Sequence, residues 1–332
     1  MYELDAPDIS VQHNITVKDL FRLFFNNLGL VEHKDYLIDE TLSSTIKMAW
    51  FESGTVGDCI KSLSTSCACL VYVNRHNQIV VKDQLKLSSY DVVLSDNDQI
   101  YDIRNVPSYQ EMRSVVELEY NIPSVDNSPT ELLSITDLTL QPGLNEFKKL
   151  EFSKSPVALI SGIQINKGSA VIITDYTINA HSIDITIQNN RGQEQTVDIS
   201  IFGNVINSTK SSIIKKDLEL LDVVGNRPLK LNSYLLQSNN TSQEYVDVLL
   251  SLVTNFGSNI EMEVRGNPLI EITDVINISA PSYNIVEKVR PIKVTYSMRE
   301  GLSGTMLCVK SDSRSHSDTV FISPGLIVTS NR

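Results

Sequence analysis

Four cysteines, five histidines and 40 acidic residues are the groups in this chain whose types could do chemistry. A zinc site needs thiolate or imidazole ligands in closely spaced pairs. Cys59 falls on the apolar face of a predicted helix, Cys67 and Cys69 lead into a strand, and Cys308 stands far from all three. With no second pair at zinc spacing, the reading is four buried free thiols. His13, His33, His76, His181 and His316 are scattered, and each is assigned a structural or solvated role. Asp96, Asp98 and Asp102 in SDNDQIYD begin like a calcium loop, but the glycine at its sixth position and the glutamate at its twelfth are absent. A polar turn is expected there. No GxSxG elbow, papain-like cysteine signature, Walker loop or GxGxxG follows a strand. The expectation is therefore a non-enzyme with no catalytic, cofactor-binding or metal-ligating residue and no cofactor.

Paired carboxylates escape this filter, because a glycosidase is recognised by the separation of two side chains and not by their spacing in sequence. Among 40 acidic residues accidental pairs are certain. Aromatics make up 7% of the chain, and Trp50, the sole tryptophan, sits on an apolar strand face and reads as core. A net charge of −12 opposes nucleic-acid binding, which needs concentrated cations to displace counterions. Lys210, Lys215 and Lys216 read as a solvated face. No run approaches the 18 apolar residues of a membrane span, and MYELDAPDIS lacks the basic start and apolar middle of a signal peptide, so synthesis and folding in a cytoplasm are expected. The sequons at Asn14, Asn207, Asn239, Asn240 and Asn277 accordingly carry no glycosylation inference.

The elements that must position these groups follow from periodicity. Val17, Leu20, Phe21, Phe24 and Leu28 recur at helical spacing over Thr16–Leu30, with Thr16 as cap and Gly29 as stop. Ile46, Met48 and Trp50 alternate as a strand. A second helix is predicted over Thr55–Ser66, then a hairpin over Leu70–Val81 turning at Asn74–Asn77. The Pro-, Ser- and Asn-rich stretch Asn121–Glu131 marks a boundary. From Leu133 to Ile206 six short strands separated by turn residues suit a β-sandwich. Beyond it, strands are expected around Leu218–Val224 and Leu229–Leu236, then a helix from Thr241 with Glu244 completing a capping box, then strands around Ile260–Val264, Ile270–Ile278 and Ile292–Tyr296. The fold class expected is α+β, with small mixed α/β modules flanking an inserted all-β sandwich. The expected domains are 1–124, 125–207, 208–310 (continuous with the first or separate) and a loosely ordered tail, 311–332.

The last third has the order of elements of a known family. Gly225–Pro228, Tyr234–Ser238, Thr241–Phe256, Gly266–Pro268 and Asp274–Val275, with Thr273 where a glycine is common, resemble the core of baseplate hub and tail-tip proteins of tailed phages and related injection machines. Val294–Tyr296 with GLSGTM at Gly301–Met306, and the hairpin Tyr72–Ile79, are similar to the same family. The resemblance implies a structural component of a virion tail, a homo-oligomer of three copies and contacts with other tail or baseplate proteins. Such proteins often carry a further N-terminal β-domain, so a fragment of a larger protein or a reduced relative is expected. Two other functions stay open. A receptor- or glycan-binding module needs a concave patch of exposed tyrosines on the sandwich. A glycan or peptidoglycan hydrolase needs two carboxylates about 5 to 9.5 Å apart in one cleft.

Overall fold

A computed structural model describes residues 4–67, 69–83, 91–95, 99–106, 112–255, 259–272, 274–298 and 302–310. The chain opens with β1 (Gln12–Thr16), α1 (Val17–Asn27), β2 (Tyr36–Ile38), β3 (Thr45–Ala49) and α2 (Val56–Ser66). Five strands follow: β4 (Cys69–Val73), β5 (Ile79–Asp83), β6 (Asp91–Ser95), β7 (Ile100–Val106) and β8 (Val115–Val125). Next come β9 (Thr130–Leu140), β10 (Gly143–Glu151), β11 (Val157–Asn166), β12 (Val171–Ile178), β13 (Ser182–Asn189) and the long β14 (Gln195–Lys216). The remainder is α3 (Leu218–Val224), β15 (Pro228–Ser233), α4 (Asn239–Asn255), β16 (Asn259–Arg265), β17 (Val275–Ala280), β18 (Ile285–Ser297) and β19 (Ser303–Lys310).

About 56% of the structure is strand and 16% helix, so the expected α+β class is wrong: among the described residues the protein is mainly β, with four helices. In the regions expected to be mixed α/β modules, residues in strands outnumber those in helices about two to one. The physical reason is that a helix declares itself by local periodicity, whereas strand pairing is long-range and becomes visible only once distant segments meet.

By its internal contacts the chain divides into two units. The first comprises Met1–Leu28, Ser44–Ser62 and Asn121–Ser211, and the second Gly29–Ser43, Leu63–Tyr120 and Ser212–Arg332. β8 and β14 contribute residues to both.

In the first unit, α1 starts where its sequence says it should. The Thr16 hydroxyl accepts the Asp19 N–H at 3.1 Å and donates to the Asp19 carboxylate at 2.7 Å. Leu20, Phe21, Phe24 and Phe25 are each wholly buried, which stabilises the unit by about 1.5–3 kcal/mol per side chain. Phe24 meets Phe51 edge-on at 5.0 Å. β1 runs antiparallel to β3. Two further layers share one apolar core: β14 flanked by β9 and β11, and β13 flanked by β10 and β12. Ile183, Ile185 and Ile187 of β13 and Val197, Ile199 and Ile201 of β14 supply its centre, alternating with residues that face outward. Gly203 lets β14 pass between its two neighbours, because a Cβ there would collide with the Leu159 carbonyl and lie 2.7 Å from a Leu132 methyl.

In the second unit, β5 pairs with β2 in parallel and with β4 as an antiparallel hairpin. Val116 and Leu118 of β8 pack on Tyr245, Val246, Leu249 and Val253 of α4. β15 lies parallel to β8, Leu231 opposite Leu118. A six-stranded sheet of order β6-β17-β18-β19-β16-β7 surrounds another core containing Leu94, Ile103, Met262, Ile276 and Met306. Its edge strands β6 and β7 are neighbours in sequence, separated only by residues 96–99, so the sheet must curl until its edges approach. The Tyr283 hydroxyl, beyond β17, donates to the Tyr101 carbonyl of β7 at 3.2 Å, a second tie across the curl.

Two local expectations fail. Leu218–Val224 is a helix, not a strand, because the Asp217 carboxylate caps the Leu220 N–H at 2.9 Å and Gly225 closes the turn at φ 75°. The helix expected from Thr241 begins two residues earlier, with the Ser238 hydroxyl accepting the Thr241 N–H at 3.2 Å. The 311–332 tail lies outside the described residues.

Candidate functional site

Within the first unit a cleft of about 460 Å³ opens between the segment Asp5–Asp8, the loop after β3 and the turn from β12 to β13. His181 in that turn is its central group. A carbonyl oxygen can only accept, so the 3.0 Å contact of His181 Nε2 with the Phe51 carbonyl puts the proton on Nε2. In the neutral ring Nδ1 then accepts from the Ser155 hydroxyl at 3.0 Å. Asp8 completes the arrangement. Its carboxylate accepts the His181 backbone N–H at 3.2 Å and the Ser182 hydroxyl at 2.7 Å, while the Ile9 carbonyl accepts the Ala180 N–H at 2.7 Å. The Ala6 N–H bonds the Gly54 carbonyl at 2.8 Å, and the Leu4 carbonyl receives the Val56 N–H at 2.7 Å. Residues 4–9 thus form a strap between the loop 51–56 and the turn 179–182.

A hydroxyl on an imidazole held by an acceptor is the spacing of an activated nucleophile. Here, however, Asp8 binds the main chain of His181 and the Ser182 hydroxyl, not the ring, so the three do not form a triad. Two of the other carboxylates lining the cleft are turned to protein groups as well, while Glu151 is exposed at its edge. Glu52 accepts from Trp50 Nε1 at 3.3 Å, and Asp5 lies 3.8 Å from Lys149 Nζ in an exposed pair. What the geometry does well is to hold three chain segments together.

Cys59, Cys69 and Cys308 are buried and Cys67 is half-buried, all as free thiols. Burial pushes the thiols of Cys59 and Cys67 up to about 12, the former with help from Glu52, and raises Cys69 and Cys308 as well. Inert thiols are the result. Trp50 is core, 5% exposed. His13, His33 and His76 are exposed on β1, before β2 and in the β4–β5 turn. Asp102 is exposed on β7, whereas Asp96, Asp98 and His316 lie outside the described residues. Sequence reasoning gave His181 a structural or solvated role without its partners, since Phe51 and Ser155 lie 130 and 26 positions away and leave no local pattern. No group of three or more His, Cys, Asp or Glu among the described residues has the arrangement to hold a metal ion.

The second unit has its own polar cluster. The Tyr72 hydroxyl donates to Glu271 at 3.1 Å, the Tyr296 hydroxyl to the Asn267 carbonyl, with the Ile270 carbonyl at 3.3 Å, and the Glu271 N–H to the Asp274 carboxylate at 2.8 Å. Burial lifts the Asp274 carboxyl above its ordinary range, against the lowering influence of that N–H, Lys82 and Arg75. These bonds fix the loop from β16 to β17.

No family model and no curated protein matches this chain. Solved structures do. A tail protein from Neisseria meningitidis MC58 superposes over 96% of this chain and 73% of its own, with TM-score 0.51 and 11% identity. The 43 kDa tail protein of prophage MuSo2 from Shewanella oneidensis matches over 91% of this chain and 67% of its own, with TM-score 0.48 and 10% identity. A chain of the native gene transfer agent virion covers 92% of this chain and 50% of its own, with TM-score 0.49 and 9% identity. The Neisseria structure establishes a shared fold, in agreement with the resemblance read from the sequence.

Proposed function

We propose that this chain is a structural component of a phage tail or baseplate, of the hub or tail-tip type, acting by assembly with copies of itself and with neighbouring tail proteins. The observation that carries the reading is a common fold, over nearly the whole chain, with a solved tail protein. The site geometry supports it from another side. His181, Ser155, Asp8 and Ser182 in the cleft bond to each other and to the main chain, as a brace between segments does, where a catalytic site keeps groups aimed at a ligand.

The glycan-binding alternative needs a tyrosine platform on residues 125–207, and Tyr176 is the only tyrosine in that stretch. In this reading 125–207 is an inserted module on a tail scaffold. The protein acts in the virion tail after synthesis in the host cytoplasm, without catalysis and without nucleic acid as a partner. Light scattering coupled to size exclusion, across a range of concentrations, tests the assembly. A closed oligomer, three copies in the form the family resemblance implies, is the expected result. A monomer at every concentration would overturn self-assembly.

A further inference from the structure

The two layers that share a core in the first unit, β14 between β9 and β11 and β13 between β10 and β12, repeat one pattern. Their central strands read IDITI over 183–187 in β13 and VDISI over 197–201 in β14. The flanking strands β10 and β9 read FKKLEF over 147–152 and ITDLTL over 135–140, and buried and exposed positions fall in the same order along each pair. The pairing repeats too. Phe147 faces Ile185 and Leu150 faces Ile183, so Lys148 and Lys149 both stand opposite Asp184. Ile135 faces Ile199 and Leu138 faces Val197, so Thr136 and Asp137 both stand opposite Asp198. Two residues against one is a β-bulge, set at the same point in each layer.

Both bulges are held by the same device. Lys149 and Asp137 lie in the left-handed region, at φ 53° and 56°, which disfavours any residue with a Cβ. The Asp184 carboxylate accepts the Lys149 N–H at 2.7 Å, and the Asp198 carboxylate accepts the Asp137 N–H at 2.9 Å. Each aspartate takes up the N–H that its bulge withdraws from the ladder. Asp198 also meets Lys167 Nζ at 2.8 Å, an exposed and screened pair that adds little. The strands so held are edges. A strand edge carries main-chain groups open to a further strand, and proteins blunt it with bulges and charges. Among the described residues β9, β10, β11 and β12 each pair on one side only, and a break of register interrupts every one of them. At β9 and β10 the break also sets an exposed charge on the edge, Asp137 in one and Lys149 in the other.

We infer that Asp184 and Asp198 are twin clasps: each pins the bulge of its edge strand in the left-handed form, and together they keep β9 and β10 from adding strands of neighbouring copies. The clasps do not depend on the self-assembly proposed above; where the chain assembles, they leave assembly to other surfaces.

The test is residue-resolved hydrogen exchange on the full chain, with mass in solution measured across a concentration series, for wild type, Asp184→Ala, Asp198→Ala, the two matching asparagine variants and the double alanine variant. Loss of a hydrogen bond to a carboxylate should speed exchange of the Lys149 amide about 10-fold or more in Asp184→Ala and leave the Asp137 amide unchanged, with the reverse in Asp198→Ala. The asparagine variants keep an acceptor oxygen without its charge, so their exchange should fall between, and they carry the test if an alanine variant does not fold. The double alanine variant, with its far-ultraviolet circular dichroism retained, should form species larger than those of wild type that grow with concentration. Exchange at either amide unchanged by its own alanine substitution, or both amides accelerated together by one substitution, would overturn the clasps. A double variant with both amides loosened and the mass of wild type at every concentration would overturn the guarding of the edges.

Discussion

Replacing Asp8 with alanine removes the one side chain that binds the strap to the β12–β13 turn. Two bonds to a carboxylate are lost, the 2.7 Å bond from the Ser182 hydroxyl and the 3.2 Å bond from the His181 N–H. Hydrogen bonds to charged groups contribute about 1.5–3 kcal/mol each, and the longer one belongs at or below the lower limit. Ser182 is 1% exposed, so its hydroxyl gains no water in exchange, although it keeps the 3.3 Å bond donated by Asn179 Nδ2. Asp8 itself is half-buried, which moderates the loss. The sum is about 2–3 kcal/mol. In a unit of this size that corresponds to a fall in melting temperature of about 4–12 °C.

The assay is thermal unfolding followed by near-ultraviolet circular dichroism for Asp8→Ala, Ser182→Ala and the double variant. If the two groups act on each other, the double variant should cost about 1 kcal/mol less than the sum of the singles. An Asp8→Ala protein melting within about 1 °C of wild type, or strictly additive losses, would refute the brace; the temperature scale is that of the same relation.

Three other outcomes follow from the packing. Gly203→Ala should destabilise by about 3 kcal/mol or more in urea titration, because the added methyl meets the Leu159 main chain, which a rotamer change cannot clear. Asp274→Asn should flatten the pH dependence of stability. With its folded carboxyl raised by burial, the wild type holds this contribution below the ordinary carboxylate range and loses it as pH rises through the raised value, so at neutral pH the variant should be at least as stable; a loss at neutral pH would show that the Glu271 N–H bond to the ionised group outweighs burial. Cys59, Cys67, Cys69 and Cys308 should react slowly with a thiol reagent at about pH 8 in the folded protein and all four rapidly in denaturant, given the raised thiols; rapid labelling of any one in the native state would contradict its burial.

What the sequence by itself determined is everything whose cause is local. Thr16 and Thr55 each hold a first-turn N–H three residues on, at Asp19 and Asp58, so α1 and α2 lie where their caps and apolar spacing put them. The Asn74–Asn77 turn joins β4 to β5, with the Asn74 carboxamide accepting the His76 and Gln78 N–H groups at 2.9 Å. The strand segments between Leu133 and Ile206 were legible from alternation. Short apolar runs were not, and LELLDVV shows why: its pattern fits strand or helix, and the Asp217 cap with the bond from the Ser114 hydroxyl to the Gly225 carbonyl decided the matter. Tertiary structure alone decided which strands pair. Parallel partners such as β6 with β17, 184 positions apart from Asp91 to Val275, leave no mark in either segment, so a mainly β protein read as α+β. The cleft was illegible for the same reason. His181, Ser155, Phe51 and Asp8 are each ordinary in their own neighbourhoods, and the chemistry of the brace exists only in the distances between them.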